Sequence, residues 1–355
     1  MCKRAHLTFN PTPGNRSAVV IEARKPPISL TGIKPTGTLV RPEDGGTVHL
    51  GNYLGAIKPA LELCKRYDSI YFIADYHALT SQRDPEALRQ NTLDVAAAWL
   101  ACGLDPEETT LFRQSDVLEV FELAWVFACI VATGQLERGH AYKEAKEREA
   151  SPNAGVFNYP LLMAADIILY DANVVPVGAD QKQHLELARD IAIRMNHVYG
   201  EGTVVVPEAV ISEAPTVPGL DGRKMSKSYG NTIALFLQSK ALRKALMKIK
   251  ADSTPLEDPK VFEGAPVYEL YKLVASADQA QNMAQKLAAG GYGWGHAKDE
   301  LFQTLEDTLG PLRERYLELR ANPDEIEAVL EKGALRARAR AQATMARVRR
   351  AIGIR

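Results

Sequence analysis

Apolar and polar positions along the chain keep one rhythm up to about residue 231 and another beyond it. From about Ile28, short apolar runs alternate with stretches of helical period. "SIYFIAD" (69–75) is rich in aromatic and β-branched residues and reads as a buried strand. "DPEALRQNTLDVAAAWLACG" (84–103) follows as a helix, with Asp84 as N-cap, Pro85 in the first helical position and Gly103 at the close. "TTLFRQSD" (109–116) is the next strand and "VLEVFELAWVFACIVA" (117–132) the next helix. A helix around "YPLLMAADIILY" (159–170), a short strand "NVVPVG" (173–178) and a long helix from Gln181 to Tyr199 continue the series. This alternation predicts an α/β fold, a Rossmann-like doubly wound parallel sheet with ligands at the carboxyl ends of its strands.

After about Asn231 the strand signals fade. Residues 235–251, 267–277, 278–290 and 298–321 all carry helical period, and a tail helix spans 323–353. The expected organisation is an α/β domain over 28–222, a smaller all-α domain over 223–316, and a C-terminal helix (317–355) returning to the first domain. Residues 1–27 hold several prolines and basic residues but no hydrophobic signal core, so a poorly ordered tail is expected there.

Composition narrows the function classes. The 355 residues are 46% hydrophobic and 25% charged with a net charge of −1, which excludes a polybasic nucleic-acid binder. Any contact with an anionic polymer must come from a local patch. One stands between Lys332 and Arg355, with eight lysines and arginines and no acid; Met345, Val348 and Ile352 form an apolar stripe beneath it. Cys2, Cys64, Cys102 and Cys129 form no C-x-x-C pair and read as buried small hydrophobes in a reducing compartment. No apolar run reaches the roughly 18 residues of a membrane span.

Three stretches carry chemistry, although neither common phosphate loop is present. "HLGN" (49–52) opens the first helix with a histidine followed by a glycine. Free N–H groups there can face an anion, and Gly51 lets a flat ring lie on the backbone; a plain capping turn is the other reading. "KMSKS" (224–228) places two lysines on a glycine-flanked loop able to reach phosphates, where a solvated basic loop is the alternative. In "YPLLMAADIILYDANVVPVGADQ" (159–181), Tyr159, Met163 and Asp166 share one helix face. Asp166 is a carboxylate in an apolar run, so it needs a donor. That donor is either a ligand N–H or O–H, or a nearby arginine or helix end.

These elements, in this order, resemble the class I aminoacyl-tRNA synthetases, and within them the bacterial-type tryptophanyl enzymes. The likeness runs from about Leu30 onward and is carried by "GIKPTG…HLGNYLGA", "DYHALTSQRDPEALRQN", "LMAADIILYDANVVPVGADQKQHLELARDIA" and "KMSKS". The resemblance implies ATP-dependent activation of L-tryptophan and its transfer to tRNA(Trp). Its cofactors would be ATP and Mg2+, with no protein-held metal, in a cytoplasmic homodimer without membrane contact. His49, Asn52, Lys224 and Lys227 would be catalytic. Lys34, Pro35, Thr36 and Gly51 would join them around the nucleotide, with Met225, Ser226 and Ser228 from the lysine loop. Gly178, Ala179 and Asp180 would lie by the ribose and Val217 by the adenine. Asp166 would accept the indole N–H, and Tyr159 and Gln181 would hold the ammonium. Met163, His77, Val175 and Val177 would line the ring pocket. The all-α domain would read the anticodon.

The chain departs from the family pattern at three places. "LVRPEDGG" (39–46) stands as an insertion, expected to be a solvent-exposed turn beside the ATP entrance. Lys34 replaces a customary glutamine near the substrate carboxylate. The loop lysine expected in "HAYKEAKERE" falls on Ala145, leaving Lys143 or Lys146 to serve. Competing readings are a tyrosyl-tRNA synthetase, a small-molecule adenylyltransferase, and a divergent secondary copy acting as a regulatory or binding partner.

Overall fold

A computed structural model describes residues 26–37, 39–148, 152–177, 182–211 and 215–354. In chain order the elements are β1 (Ile28–Ile33), α1 (Leu50–Asn52), a wide π turn (Tyr53–Ile57), α2 (Lys58–Cys64), β2 (Asp68–Ile73), α3 (Asp75–Ala78), α4 (Pro85–Ala101) and β3 (Thr110–Arg113). Then come α5 (Glu119–Ala128), α6 (Thr133–Glu137), α7 (His140–Arg148), α8 (Ala154–Leu169), β4 (Val174–Val177), α9 (Lys182–Tyr199) and β5 (Glu208–Ile211). The remainder is helical: α10 (Ser239–Leu246), α11 (Pro266–Val274), α12 (Ala277–Ala289), α13 (Trp294–Ala321) and α14 (Pro323–Ile352).

All strand pairs are parallel and the order is β3-β2-β1-β4-β5, so the chain reverses direction across the sheet between β1 and β4. That switch point is where a doubly wound sheet binds ligands. The expected fold class is therefore found. Alternate residues of β2 and β3 serve opposite faces. Tyr71, Ile73 and Leu111 belong to the core shared with α4 and the C-terminal helices, whereas Ile70, Phe72 and Phe112 pack with α5, α8, α9 and α14.

Local signals hold where tertiary pairing does not compete. Asp84 accepts hydrogen bonds from the N–H groups of Glu86 (3.0 Å) and Ala87 (3.2 Å), as an N-cap should. Three expectations are corrected. The strand expected over 109–116 ends at Arg113, because Arg113 Nε folds back to Asp116 at 2.9 Å. The helix expected over 235–251 is only Ser239–Leu246. Residues 234–236 instead pair with the 45–49 segment: Leu235 N–H donates to the Val48 carbonyl (2.9 Å) and Phe236 N–H to that of Gly45 (3.3 Å). Finally, the inserted 39–46 segment is exposed only at its tip. Gly45 and Gly46 are buried, with Gly45 lying against Ala234 and Leu237.

Helix α14 crosses the edge strand. A Cβ on Gly333 would fall 1.8 Å from the Leu111 carbonyl oxygen, so only glycine allows this approach. The basic side chains of α14 engage the α/β layer: Arg340 pairs with Asp68 (2.6 Å), Arg347 with Asp171 (2.5 Å) and Arg349 with Glu122.

Candidate active site

The first helix is closed at its start by a reciprocal pair. Asn52 N–H donates to His49 Nδ1 (3.2 Å), and His49 N–H donates to Asn52 Oδ1 (3.1 Å). The ring must be neutral at Nδ1 to accept that bond. Burial, and then the charge of Lys227, hold its pKa down at about 4. At Gly51 a side chain would meet the His49 ring at 3.0 Å and Met225 at 3.2 Å. The bare backbone at Gly51 is occupied by Met225, whose sulfur accepts the Gly51 N–H at 3.2 Å.

The lysine loop thus docks on the "HLGN" turn. Lys227 Nζ reaches across and donates to the Thr36 carbonyl at 2.9 Å. A cavity of about 290 Å³ lies between, lined by Lys34, Thr36, His49, Asn52, Ser226 and Lys227. Lys227 is exposed as a residue, but its ammonium end enters this cleft. Loss of water there lowers its pKa, with Asp94 opposing the fall. Lys224 is exposed, and its backbone pairs with Pro218 beside buried Val217. Pro35 is buried at the end of β1; Ser226 Oγ accepts the Ser228 N–H at 3.3 Å, shaping the loop's short turn.

The loop is secured by a residue the sequence reading missed. Buried Asn231 donates Nδ2–H to Asp221 Oδ1 (2.7 Å) and to the Lys224 carbonyl (3.2 Å), and accepts the Ser226 N–H at 2.8 Å. Its only sequence signal was its place at the end of "SYGN".

A second cluster forms where α3, the end of β3 and α8 meet. Asp166 is 1% exposed. His77 Nε2 lies 2.9 Å from its Oδ2, and Gln114 Nε2 donates to both oxygens at 2.9 Å. Its protein partners are thus a histidine and an amide, not the arginine or helix end considered from sequence. Burial pushes the Asp166 pKa up, and His77 and Gln114 pull it back. Gln114 went unread as a site residue because it falls in the expected strand. Tyr159 bonds His184 through its hydroxyl, and burial pushes its pKa up to about 12. Met163 is half-buried on the same helix. Val175 is 5% exposed and belongs to the apolar core beneath the sheet. The Val177 side chain and Gly178, Ala179, Asp180 and Gln181 lie outside the described residues.

Lys34 links the two clusters. It lines the cavity beside His49 and Lys227 and donates Nζ–H to Thr80 Oγ1 (2.9 Å), and Thr80 in turn donates to the His77 carbonyl (2.8 Å). Of the candidate loop lysines, Lys146 lies over the Tyr142 ring at 5.8 Å and Lys143 is exposed.

The chain as a whole is similar to proteins of known family. Residues 22–310 match the family model described as tRNA synthetases class I (W and Y). A tryptophan–tRNA ligase of Pseudomonas aeruginosa is 48% identical over 339 residues, covering 92% of this chain and 73% of its own length. The crystal structure of a Campylobacter jejuni tryptophanyl-tRNA synthetase, complexed with ADP and tryptophan, superposes with a TM-score of 0.84. It shares 42% identity over 92% of this chain and 99% of that one. A tyrosyl-tRNA synthetase from Archaeoglobus fulgidus, at 21% identity and a TM-score of 0.62, shares the fold alone. With its switch-point cleft, its docked lysine loop and these relatives, the chain belongs to the class I tRNA synthetases of the tryptophan and tyrosine family, on the bacterial tryptophanyl side.

Proposed function

We propose that this chain is a tryptophan–tRNA ligase, forming tryptophanyl-adenylate from L-tryptophan and ATP and then charging tRNA(Trp). The observation that carries the reading is the contact between Lys227 Nζ and the Thr36 carbonyl. It brings the lysine loop onto the end of β1 and encloses a cleft with His49 and Asn52. The tryptophan carboxylate attacks the α-phosphorus and pyrophosphate leaves. Lys227 and Lys224 offset the charge that builds on the phosphates, and the His49–Asn52 turn fixes the nucleotide end. Thr36 and Pro35 form the floor, and Met225, Ser226 and Ser228 hold the loop over it. No protein side chain becomes covalently attached.

Asp166 accepts the indole N–H. Two observations support that role: it is buried in an apolar helix, and its orientation is fixed by His77 and Gln114. Tyr159 and Gln181 hold the substrate ammonium, with Met163, Val175 and Val177 along the ring. Gly178, Ala179 and Asp180 face the ribose and Val217 the adenine. Mg2+ would be held by the phosphates of ATP, and when bound it would offset their negative charge. Among the described residues no group of three or more His, Cys, Asp or Glu side chains is arranged to hold an ion.

The helices from α10 to α13 form the anticodon-reading domain of this reading, with 28–222 as the catalytic domain. Leu118, at the N-cap of α5, and Phe121 and Trp125 within it follow one another at about one turn and are 62%, 36% and 71% exposed, which supports a homodimer that covers them. No described helix is long and apolar enough to cross a membrane, and a tRNA substrate is consistent with work in the cytoplasm.

ATP–pyrophosphate exchange with each of the twenty amino acids tests the assignment. Exchange with tryptophan alone, followed by charging of tRNA(Trp), is expected. Preference for tyrosine would reassign the substrate, and exchange without charging would favour a regulatory copy. Lys227→Ala should lower kcat for adenylate formation by roughly 10²–10³-fold with tryptophan binding intact.

A further inference from the structure

Two polar side chains are buried on the face of α4 that looks toward the cleft. Asn91 is 1% exposed and donates Nδ2–H to the Gly37 carbonyl at 3.0 Å, and Gln82 donates to the same oxygen at 3.1 Å. The preceding residue, Thr36, supplies the carbonyl on which the Lys227 ammonium lands. The two amides therefore fix the turn that receives Lys227.

Asp94 lies one helical turn further along α4 and is buried. Its Oδ2 accepts from the Thr47 N–H (2.7 Å) and the Thr47 hydroxyl (2.5 Å), and its Oδ1 accepts the hydroxyl of Tyr316 on α13. Arg320, also on α13, holds its Nε 3.7 Å from the same carboxylate. Thr47 lines the cleft two residues before His49. The chain at Gly46 passes so close that a Cβ there would stand 2.5 Å from the Tyr316 oxygen and 3.1 Å from each Asp94 oxygen. A buried carboxylate needs this many donors merely to break even, and an apolar side chain would have filled the space more cheaply. What the carboxylate adds is geometry: one residue grips Thr47 on one side and α13 on the other. Its charge also favours the ammonium form of Lys227.

We propose that Asn91 and Asp94 are positioning residues for adenylate formation, holding the Thr36–Gly37 turn and the Thr47–His49 segment at the spacing across which Lys227 acts, with Tyr316 extending that hold to α13. The inference rests on the reading of Lys227 as a stabiliser of transition-state charge. Neither residue needs to touch ATP, since a displacement of about 1 Å in a charge-stabilising group can cost 10²-fold in rate.

The test is a double-mutant cycle in pyrophosphate exchange, with tryptophan affinity measured separately by calorimetry. Asp94→Asn is expected to lower kcat by about 30-fold and to leave tryptophan affinity within about twofold. In a Lys227→Ala background the same change should cost less than about threefold, because the group being positioned is gone. Equal factors in both backgrounds, or a loss of tryptophan binding in step with the rate, would overturn the proposal. Tyr316→Phe removes one hydroxyl and should give about 3–10-fold with the same non-additivity. It decides the matter if Asp94→Asn is not recovered folded. An unchanged rate in Lys227→Ala alone would instead remove the underlying reading, and the inference with it.

Discussion

Gln114 donates Nε2–H to both carboxylate oxygens of Asp166, and its own Oε1 accepts the backbone N–H of His77 at 3.3 Å. A backbone N–H can only donate, so the amide cannot turn over, and its NH2 must face the carboxylate. Asp166 is thereby kept as an acceptor in one orientation. Asp166→Ala is expected to lose roughly 2–4 kcal/mol in kcat/KM for tryptophan, because a bound indole N–H is left without a partner. An unchanged kcat/KM in a folded variant would make Asp166 purely structural.

The same geometry sets a pH dependence. Burial raises the Asp166 pKa and Gln114 lowers it, so removing Gln114 should raise it further. Tryptophan KM should climb as pH falls through that pKa, since a protonated acid is a poorer acceptor. In Gln114→Leu the climb should begin at higher pH. Superimposable profiles of kcat/KM against pH would show that Gln114 does not tune the site.

His49 offers a stability test of opposite sign. Its folded pKa, held at about 4, lies below the ordinary 6.5, so the native state refuses a proton that the unfolded chain accepts. The stability gained by keeping the ring neutral is whole above pH 6.5 and is lost as pH falls toward 4. His49→Asn keeps a capping oxygen and removes the titration. Urea midpoints of the parent protein should fall faster than those of His49→Asn between those limits, and parallel curves would contradict the burial argument.

The Asn231 side chain makes three hydrogen bonds from a buried position, and all three fall within or beside the lysine loop. Asn231→Ala should cost about 1–3 kcal/mol of stability, as two loop groups lose their partner. It should also lower kcat more than it raises the KM for tryptophan. A variant with normal turnover would show that the loop holds its shape by other means.

The inserted segment divides into a tip and a root. Arg41, Glu43 and Asp44 form ion pairs with more than half of each side chain exposed, and these are worth little. Glu43→Ala should therefore change stability by less than about 0.5 kcal/mol. Gly46→Ala should be severe, because Gly46 has φ of +70° and its Cβ would strike Tyr316. Thermal melting of the two variants checks the contrast.

Much of this architecture was legible because its signals are local. Asp84 and Pro85 announce α4 within four residues, and the lone carboxylate at Asp166 announces a polar partner. The identity of that partner was not legible, since Gln114 is 52 residues away and carries no local mark. Leu235 and Phe236 fall in a stretch of helical period, yet they pair with Val48 and Gly45, and that tertiary contact overrides the propensity. β5 went unread for a related reason. It becomes a strand by adding to β4 at the end of the sheet.

The crossing of α14 over β3 has a consequence for how the chain is made. Arg336 donates to the Pro106 carbonyl across 230 residues of sequence. At translation rates of about 5–20 residues per second, β3 leaves the ribosome roughly 10–50 s before the helix that covers it. Through that interval the sheet carries a bare outer strand, open to pairing with other nascent chains. The seam of arginines along α14 therefore acts as a late fastening, and variants that weaken it should fail first as poor yield from synthesis, ahead of any loss in the activity of molecules that have already closed.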